Sequence, residues 1–339
     1  MSPQNHAAWL MAKQDTTHTV QDAPYHPPLP NELVIKNFAI AFNPADVLLQ
    51  KLGIMIDVYP AILGCDVAGT VVEIGSDIND FKLGDRVIGS AKPLPGGVYK
   101  YSGFQEYVVL KMPFVAKIPD SVAFTDAVVL PLGILASSTC LFHESTLGLE
   151  LPPGTGEKGT LVVWGASSSV GSCGVQLAVA AGYEVLGVAG QRNHQYVKSL
   201  GASQVIDQGD ADVVKEIVAA LEGKHCVGAF DAISKPETLH ALCDILHESG
   251  GRKVIAAIKP GAEALAKNDV VIKTNFGARD FETTGALHLW HEFLEPALAA
   301  GSFQFKPQAE IVGHGLEDVQ KGIDLLAQGV SAKKLVISL

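Results

Sequence analysis

Leu161-Val-Val-Trp-Gly-Ala-Ser-Ser-Ser-Val-Gly171 passes from four apolar residues into a string of small ones. Beyond it, Val170, Cys173, Gly174, Leu177, Ala178 and Ala181 recur at the spacing of one helix face. A short buried strand, a tight turn and a helix are therefore predicted in that order. Such a turn is an anion site. The first N–H groups of the helix lack partners within it, its dipole end is positive, and small side chains let a pyrophosphate come close. The positions of the Gly-x-Gly-x-x-Gly fingerprint hold Ala166, Ser168 and Gly171. As a motif that is degenerate; its weight comes from its place between a strand and a helix, with a second strand at Glu184–Ala189.

Further strands are predicted at Val205-Ile-Asp, Val227–Ile233 and Lys253–Ile258, with helices near 193–200, 210–221 and 236–247 between them. Alternating elements of this kind imply a doubly wound parallel sheet. A site for NAD would place an acid at the end of the second strand. Here that strand runs out as Gly190-Gln-Arg-Asn-His194, with no acid. Arg192 can pair with a 2′-phosphate, and Gln191 and Asn193 can donate to it, so the cofactor expected is NADPH. The alternative for Arg192 is an ordinary solvated surface arginine. Asp231, with Ser234 nearby, either reaches the ligand edge of the sheet or caps a turn.

Working outward, the first part of the chain reads as β-rich. Glu32–Ile40, Val67–Gly75, Arg86–Gly89 and Glu106–Leu110 are strand-like, punctuated by Pro and Gly clusters at 27–30 and 93–97. After about residue 270 the pattern turns mixed and closes on Lys334-Leu-Val-Ile-Ser, a strand expected to pack back on the first domain. The domains predicted are 1–125 with 271–339, and 126–270. Val270–Asn275 could be an edge strand pairing two copies, so monomer and homodimer both stay open. A net charge of −11 argues against nucleic acid or an anionic membrane as partner. The five cysteines are scattered, with no CxxC, as in reduced intracellular proteins. Neither a secretory signal nor a run of about 18 apolar residues is evident, so a cytoplasmic protein is expected.

Several short runs fall in a familiar order: Asn43-Pro-Ala-Asp, Gly64-Cys-Asp-Val-Ala-Gly, Phe81-Lys-Leu-Gly-Asp-Arg-Val, Phe104-Gln-Glu-Tyr, Leu130-Pro-Leu, Gly165–Gly171, Leu200-Gly-Ala and Lys333-Lys-Leu-Val. With them the chain resembles the zinc-independent, quinone oxidoreductase-like branch of the medium-chain dehydrogenase/reductases, and within it fungal trans-acting enoyl reductases. The resemblance covers nearly the whole chain. It implies an α/β protein with a GroES-like β-rich domain, a Rossmann domain and NADPH in the cleft between them. It further implies that Asn43, Pro44, Ala45 and Asp46 approach the nicotinamide side and that Ser167, Ser168, Ser169 and Val170 cradle the pyrophosphate. Gly190, Gln191, Arg192 and Asn193 would hold the adenosine phosphate, Ile258 would lie near the nicotinamide, and Lys333 and Lys334 would reach the cofactor. Two departures stand out. Val47 and Leu48 follow Asp46 where relatives carry Trp-Lys, and Ala136 stands where many quinone reductases have threonine.

No metal is expected. The zinc-dependent relatives need three protein ligands, commonly Cys, His and Cys. Asn43 and Cys65 occupy the first two of those places, and residues 90–110 contain no cysteine for a structural zinc lobe. Hydride addition to an activated C=C, an enone or an enoyl thioester, suits a site without a Lewis acid. The candidate proton donors are Tyr59 and Ser137, with Thr139 and His143 behind them. Tyr59 could equally be a packed loop tyrosine, and His143 a structural histidine. The substrate would be a small molecule or a carrier-bound acyl group. Two other readings remain: a quinone oxidoreductase, and a non-catalytic NADPH-binding protein, which the absence of a lysine after Asp46 keeps open.

Overall fold

The computed structural model describes residues 3–92, 97–274 and 285–339, so most of the Pro/Gly cluster at 93–97, and Asn275, lie outside the described residues. Contacts divide the chain into two compact units, one formed by Met1–Leu132 with Trp290–Leu339 and one by Gly133–Leu289.

The first unit is mainly β. In chain order it begins with β1 (Asn5–Leu10), β2 (His18–Ala23), β3 (Glu32–Ala41), helix α1 (Pro44–Leu52) and β4 (Ala61–Ile62). It continues with β5 (Asp66–Ile74), β6 (Arg86–Ser90), β7 (Tyr107–Lys111), β8 (Val115–Lys117), the short helix α2 (Phe124–Ala127) and the start of α3 (Pro131–Phe142). The second unit follows with β9 (Thr160–Trp164), α4 (Ser169–Ala180), β10 (Glu184–Ala189), α5 (His194–Ser199), β11 (Gln204–Asp207) and α6 (Val213–Leu221). Next come β12 (Cys226–Asp231), α7 (Pro236–Glu248), β13 (Val254–Ala257), β14 (Val271–Thr274) and one turn, α8 (Gly285–Leu287). The chain then returns to the first unit as α9 (Glu295–Ala300), β15 (Gln308–His314), α10 (Val319–Ala327) and β16 (Lys333–Ser338).

In the first unit, β2-β1-β4 form a small antiparallel sheet. A larger one runs β15-β16-β3-β5-β6-β8, with β7 also paired to β3. Alternation along β3 and β5 sends Leu33, Ile35, Ile40, Val67 and Val71 into one core, where Leu335 and Ile337 of β16 and Val319 and Ile323 of α10 join them. The C-terminal strand is thus a central member of this sheet. Its register brings residues distant in sequence side by side: Val336 lies opposite Ala41, and Ala41 opposite Asp66.

In the second unit all six strands are parallel, in the order β11-β10-β9-β12-β13-β14. β9 and β12 are buried residue by residue, which explains why they read as unbroken apolar runs rather than alternating ones. The strand order reverses beside β9, and in such sheets ligands bind at the carboxyl ends where it does so. β14 pairs with β13, so the parallel sheet runs on past residue 270, where the sequence reading divided the chain. The stretch Phe124–Phe142 matches a membrane-crossing helix in length and composition, contrary to the expectation that no such run exists. Two-thirds of it is buried inside the protein, as in the core helix of a soluble fold.

Candidate functional site

The turn after β9 is built from its backbone outward. Gly165 takes a left-handed conformation, φ 72°, and a Cβ there would meet Ile233 Cγ1 at 2.4 Å. Its N–H and that of Ala166 donate to Val188 O at 3.0 and 3.1 Å, tying the turn to β10. Ser168 is the N-cap of α4, its hydroxyl oxygen accepting the Gly171 N–H at 2.9 Å. Gly171 is the tightest point. A Cβ on it would lie 2.1 Å from Gly165 O, so the first turn of the helix rests directly on the preceding loop. Ser167, Ser168, Ser169 and Val170 stay half-exposed around the helix N-terminus, while Ala166 is buried beneath them.

The turn after β10 joins this one. The Asn193 side-chain amide donates to Ser167 Oγ at 3.1 Å. Gly190 is half-buried, and Gln191 and Arg192 are exposed. Sequence reasoning missed Tyr196. Its hydroxyl shares a 2.8 Å hydrogen bond with Ser172 Oγ, and burial raises its pKa. Nothing in the spacing marks it apart from an ordinary helix residue. Asp231 proves to be a turn cap: Oδ1 accepts from the Ile233 and Ser234 N–H groups, both at 2.9 Å, and Oδ2 from the Thr238 hydroxyl. Ser234, at φ 54°, accepts the Ile258 N–H at 2.9 Å and so fixes the end of β13. Ser137 is fully buried and donates its hydroxyl proton to Gly133 O at 2.6 Å. Thr139 does the same to Leu135 O at 2.8 Å. With that proton bonded inside its own helix, Ser137 is not presented as a donor to a substrate.

In the first unit, residues from four segments form a buried polar cluster. Antiparallel pairing of Val336 with Ala41, followed two residues further, brings Lys334 level with Asn43. The Lys334 ammonium donates to Asn43 Oδ1 at 2.5 Å and forms an ion pair with Asp66 Oδ2 at 2.8 Å. Asn43 Nδ2 donates to the same Asp66 oxygen at 2.8 Å. Asp66 Oδ1 accepts the Leu132 N–H at 2.6 Å, in the first turn of α3. Asp46, third in α1, accepts the Asn43 N–H at 2.8 Å. Both carboxylates are wholly buried and Lys334 is 3% exposed. Burial pushes the Asp46 pKa up to about 7, and the adjacent Asp66 carboxylate adds to the shift against the pull of the Asn43 N–H and Lys334. Burial likewise holds the Cys65 thiol well above its usual range. Of the residues expected at the cofactor, Pro44 and Ala45 are at least partly exposed, Asn43 and Asp46 are enclosed, and Lys333 is a surface residue paired with Glu310 at 2.8 Å. Lys334 does not extend outward; it is spent on Asp66 and Asn43. Tyr59 packs half-buried against this unit's core. Its hydroxyl, buried and unpartnered among the described residues, keeps its proton more firmly than a free tyrosine because of burial.

Residues 29–120 match the model of the alcohol dehydrogenase GroES-like domain, and residues 169–288 that of the zinc-binding dehydrogenases. The chain is 39% identical to the dehydrogenase pigH of Monascus ruber, over 99% of its own length and all of the relative's. The chain is a medium-chain dehydrogenase/reductase. To the trans-enoyl reductase himH of Aspergillus japonicus this oxidoreductase is 40% identical, covering 99% of itself and 97% of that protein. Among solved structures, the CurK enoyl reductase superposes with a TM-score of 0.76 at 20% identity, covering 99% of each chain. The medium-chain dehydrogenase/reductase fold binds a nicotinamide cofactor, and the small-residue turn at 165–171 has the form that this requires.

Proposed function

We propose that this medium-chain dehydrogenase/reductase uses NADPH to add hydride to a C=C bond conjugated with a carbonyl, an enone or an enoyl thioester, without a metal. The observation that carries this reading is the Lys334 ammonium inside the cluster of Asn43, Asp46, Cys65 and Asp66. A zinc ion needs three donors around open space. Here the centre of the donor set already holds a cation, and Asn43 offers only an amide. Among the described residues no group of three or more His, Cys, Asp or Glu could hold a metal ion. The donor set therefore does not fit the zinc of the family's name.

The second unit fits the cofactor. Ser167, Ser168, Ser169 and Val170, at the N-terminus of α4, would hold the pyrophosphate. The exposed Arg192, with Gln191 and Asn193, would take the 2′-phosphate, and no acid stands in that turn to repel it. When bound, the reduced nicotinamide supplies hydride to the electrophilic carbon of the alkene. In the first unit, Tyr59 keeps its proton at neutral pH, and among the described residues its hydroxyl has no partner, which leaves that proton uncommitted for transfer toward the reduced substrate. The relatives named trans-enoyl reductases support the alkene class.

The test is NADPH oxidation by the chelator-treated protein against panels of enones, enoyl thioesters, quinones and aldehydes. Turnover of enones or enoyl thioesters, with NADPH preferred to NADH, is expected. Turnover of quinones alone, or activity that returns only with added zinc, would sink the proposal.

A further inference from the structure

Helix α3 begins without a capping side chain of its own. Val129 and Leu130 precede it, and Pro131 at its start carries no N–H. The acceptor for its first free N–H comes instead from 66 residues upstream, where Asp66 Oδ1 takes the Leu132 proton at 2.6 Å. That carboxylate is wholly buried, and its other oxygen is held by Lys334 and Asn43, each at 2.8 Å. Leu132 is also the last residue of the first unit before the chain enters the second at Gly133. One charged oxygen therefore fixes the point at which the connecting helix starts. Asn43 and Lys334, 291 residues apart in sequence and bonded to each other, keep that carboxylate in place.

We propose that Asp66 is a positioning residue for the reduction. Gripped by Lys334 and Asn43, it anchors the first turn of α3, where a Cβ at Gly133 would lie 3.2 Å from Ser169 O at the start of α4, and turnover depends on that anchor. The cation explains the geometry: a lone buried carboxylate would be costly, whereas an ion pair capping a helix N-terminus is met on both oxygens. This inference rests on the reading that the chain is a reductase; the anchoring itself does not.

The variants that test it remove the acceptor without leaving a buried charge. Asp66→Leu with Lys334→Met replaces the pair by apolar groups, a change that folded proteins often tolerate. Asp66→Asn with Lys334→Met removes the same charges but keeps an oxygen able to accept from Leu132. The Asn/Met protein should bind NADPH within about twofold of wild type, whereas the Leu/Met protein, with the start of α3 loosened beside Ser169, should bind it more weakly. The kcat of the Leu/Met protein should fall about tenfold or more, and that of the Asn/Met protein should recover most of it. Equal kcat in the two would overturn the assignment, because charge removal alone would then account for the loss.

Hydrogen exchange at the Leu132 amide gives a readout that needs no substrate. Protection lost in the Leu/Met protein and kept in the Asn/Met protein supports the anchor even if wild type reduces nothing in the panel. Equal protection in both overturns it.

Discussion

The nucleotide turn and the buried cluster are both polar sites set in apolar surroundings, yet they are made in opposite ways. The turn lies within one strand–turn–helix–strand–turn stretch, residues 160–196, and its geometry follows from small residues at fixed offsets: Gly165 at φ 72°, Ser168 as N-cap, Gly171 against Gly165 O. The cluster is gathered from Asn43, Asp46, Asp66, Leu132 and Lys334, and no two of its segments are neighbours in sequence. A local site is dictated by what the backbone can do. A dispersed one exists only once strand register has brought β16 beside β3 and β3 beside β5.

The largest expected effect breaks the dispersed site. Lys334→Met leaves Asp66 buried with its helix N–H and one amide but no counter-charge. Loss of one partner of such a pair costs about 3–5 kcal/mol. Urea unfolding should show that loss, and the double variant Asp66→Asn with Lys334→Met should regain most of it. Equal stability of the single variant and wild type would mean that the pair is not ionic.

The local site is next. Gly171→Ala places a methyl group 2.1 Å from a backbone oxygen and 3.0 Å from Ala166 Cα. Neither neighbour can swing away as a flexible side chain would, so the loop must shift, at about 1–3 kcal/mol. Nucleotide affinity, read by fluorescence titration, should fall with stability. Unchanged affinity and stability would mean that the loop takes the methyl group without moving.

The two sites also differ in how far the amino-acid sequence alone discloses them. The parallel sheet, the turn and the absence of an acid after β10 are periodicities and spacings, and all are visible in the chain before folding. That Asn43 stands where zinc-dependent relatives have a cysteine, and Cys65 where they have a histidine, is likewise legible from residue type alone. What could not be seen is that Lys334 would be the cation among them. A lysine at the start of a strand, just before its buried apolar residues, looks like any solvated end, and only the Val336–Ala41–Asp66 register turns it inward. Ser137 failed for a different reason. A serine in a buried helix satisfies itself on the carbonyl four residues back, and sequence cannot tell that from a hydroxyl facing outward.

Arg192 sharpens the comparison at the level of ligand choice. It is exposed and sits in the turn that Asn193 ties to Ser167. Arg192→Ser should raise the KM for NADPH about tenfold, roughly 1.4 kcal/mol, and leave that for NADH nearly unchanged. Parallel changes in both would show that the arginine supports the loop and does not read the 2′-phosphate.

The smallest effect is a matter of protons. Burial raises Asp46 from an ordinary 3.8 to about 7, so the folded protein keeps a proton that the unfolded chain releases near pH 4. Between those values the native state binds more protons, and stability falls as pH rises through the window, then levels off above it. This is the reverse of a salt-bridged carboxylate, whose contribution is lost on acidification. The groups facing Asp46 are the Asp66 carboxylate from β5, which disfavours its charge, and the Asn43 and Gly64 N–H groups, the Lys334 ammonium from β16 and the Cys65 thiol, which donates to it, all of which favour it. Asp46→Asn cannot ionise but still offers an oxygen to the Asn43 N–H. Between pH 6 and pH 8 it should gain on wild type by about 1 kcal/mol, measured as the change in their urea-midpoint difference. A difference that stays flat across that range would mean Asp46 is already charged at pH 6. The cluster would then hold two carboxylates against one ammonium, and Lys334 alone would not suffice to balance it.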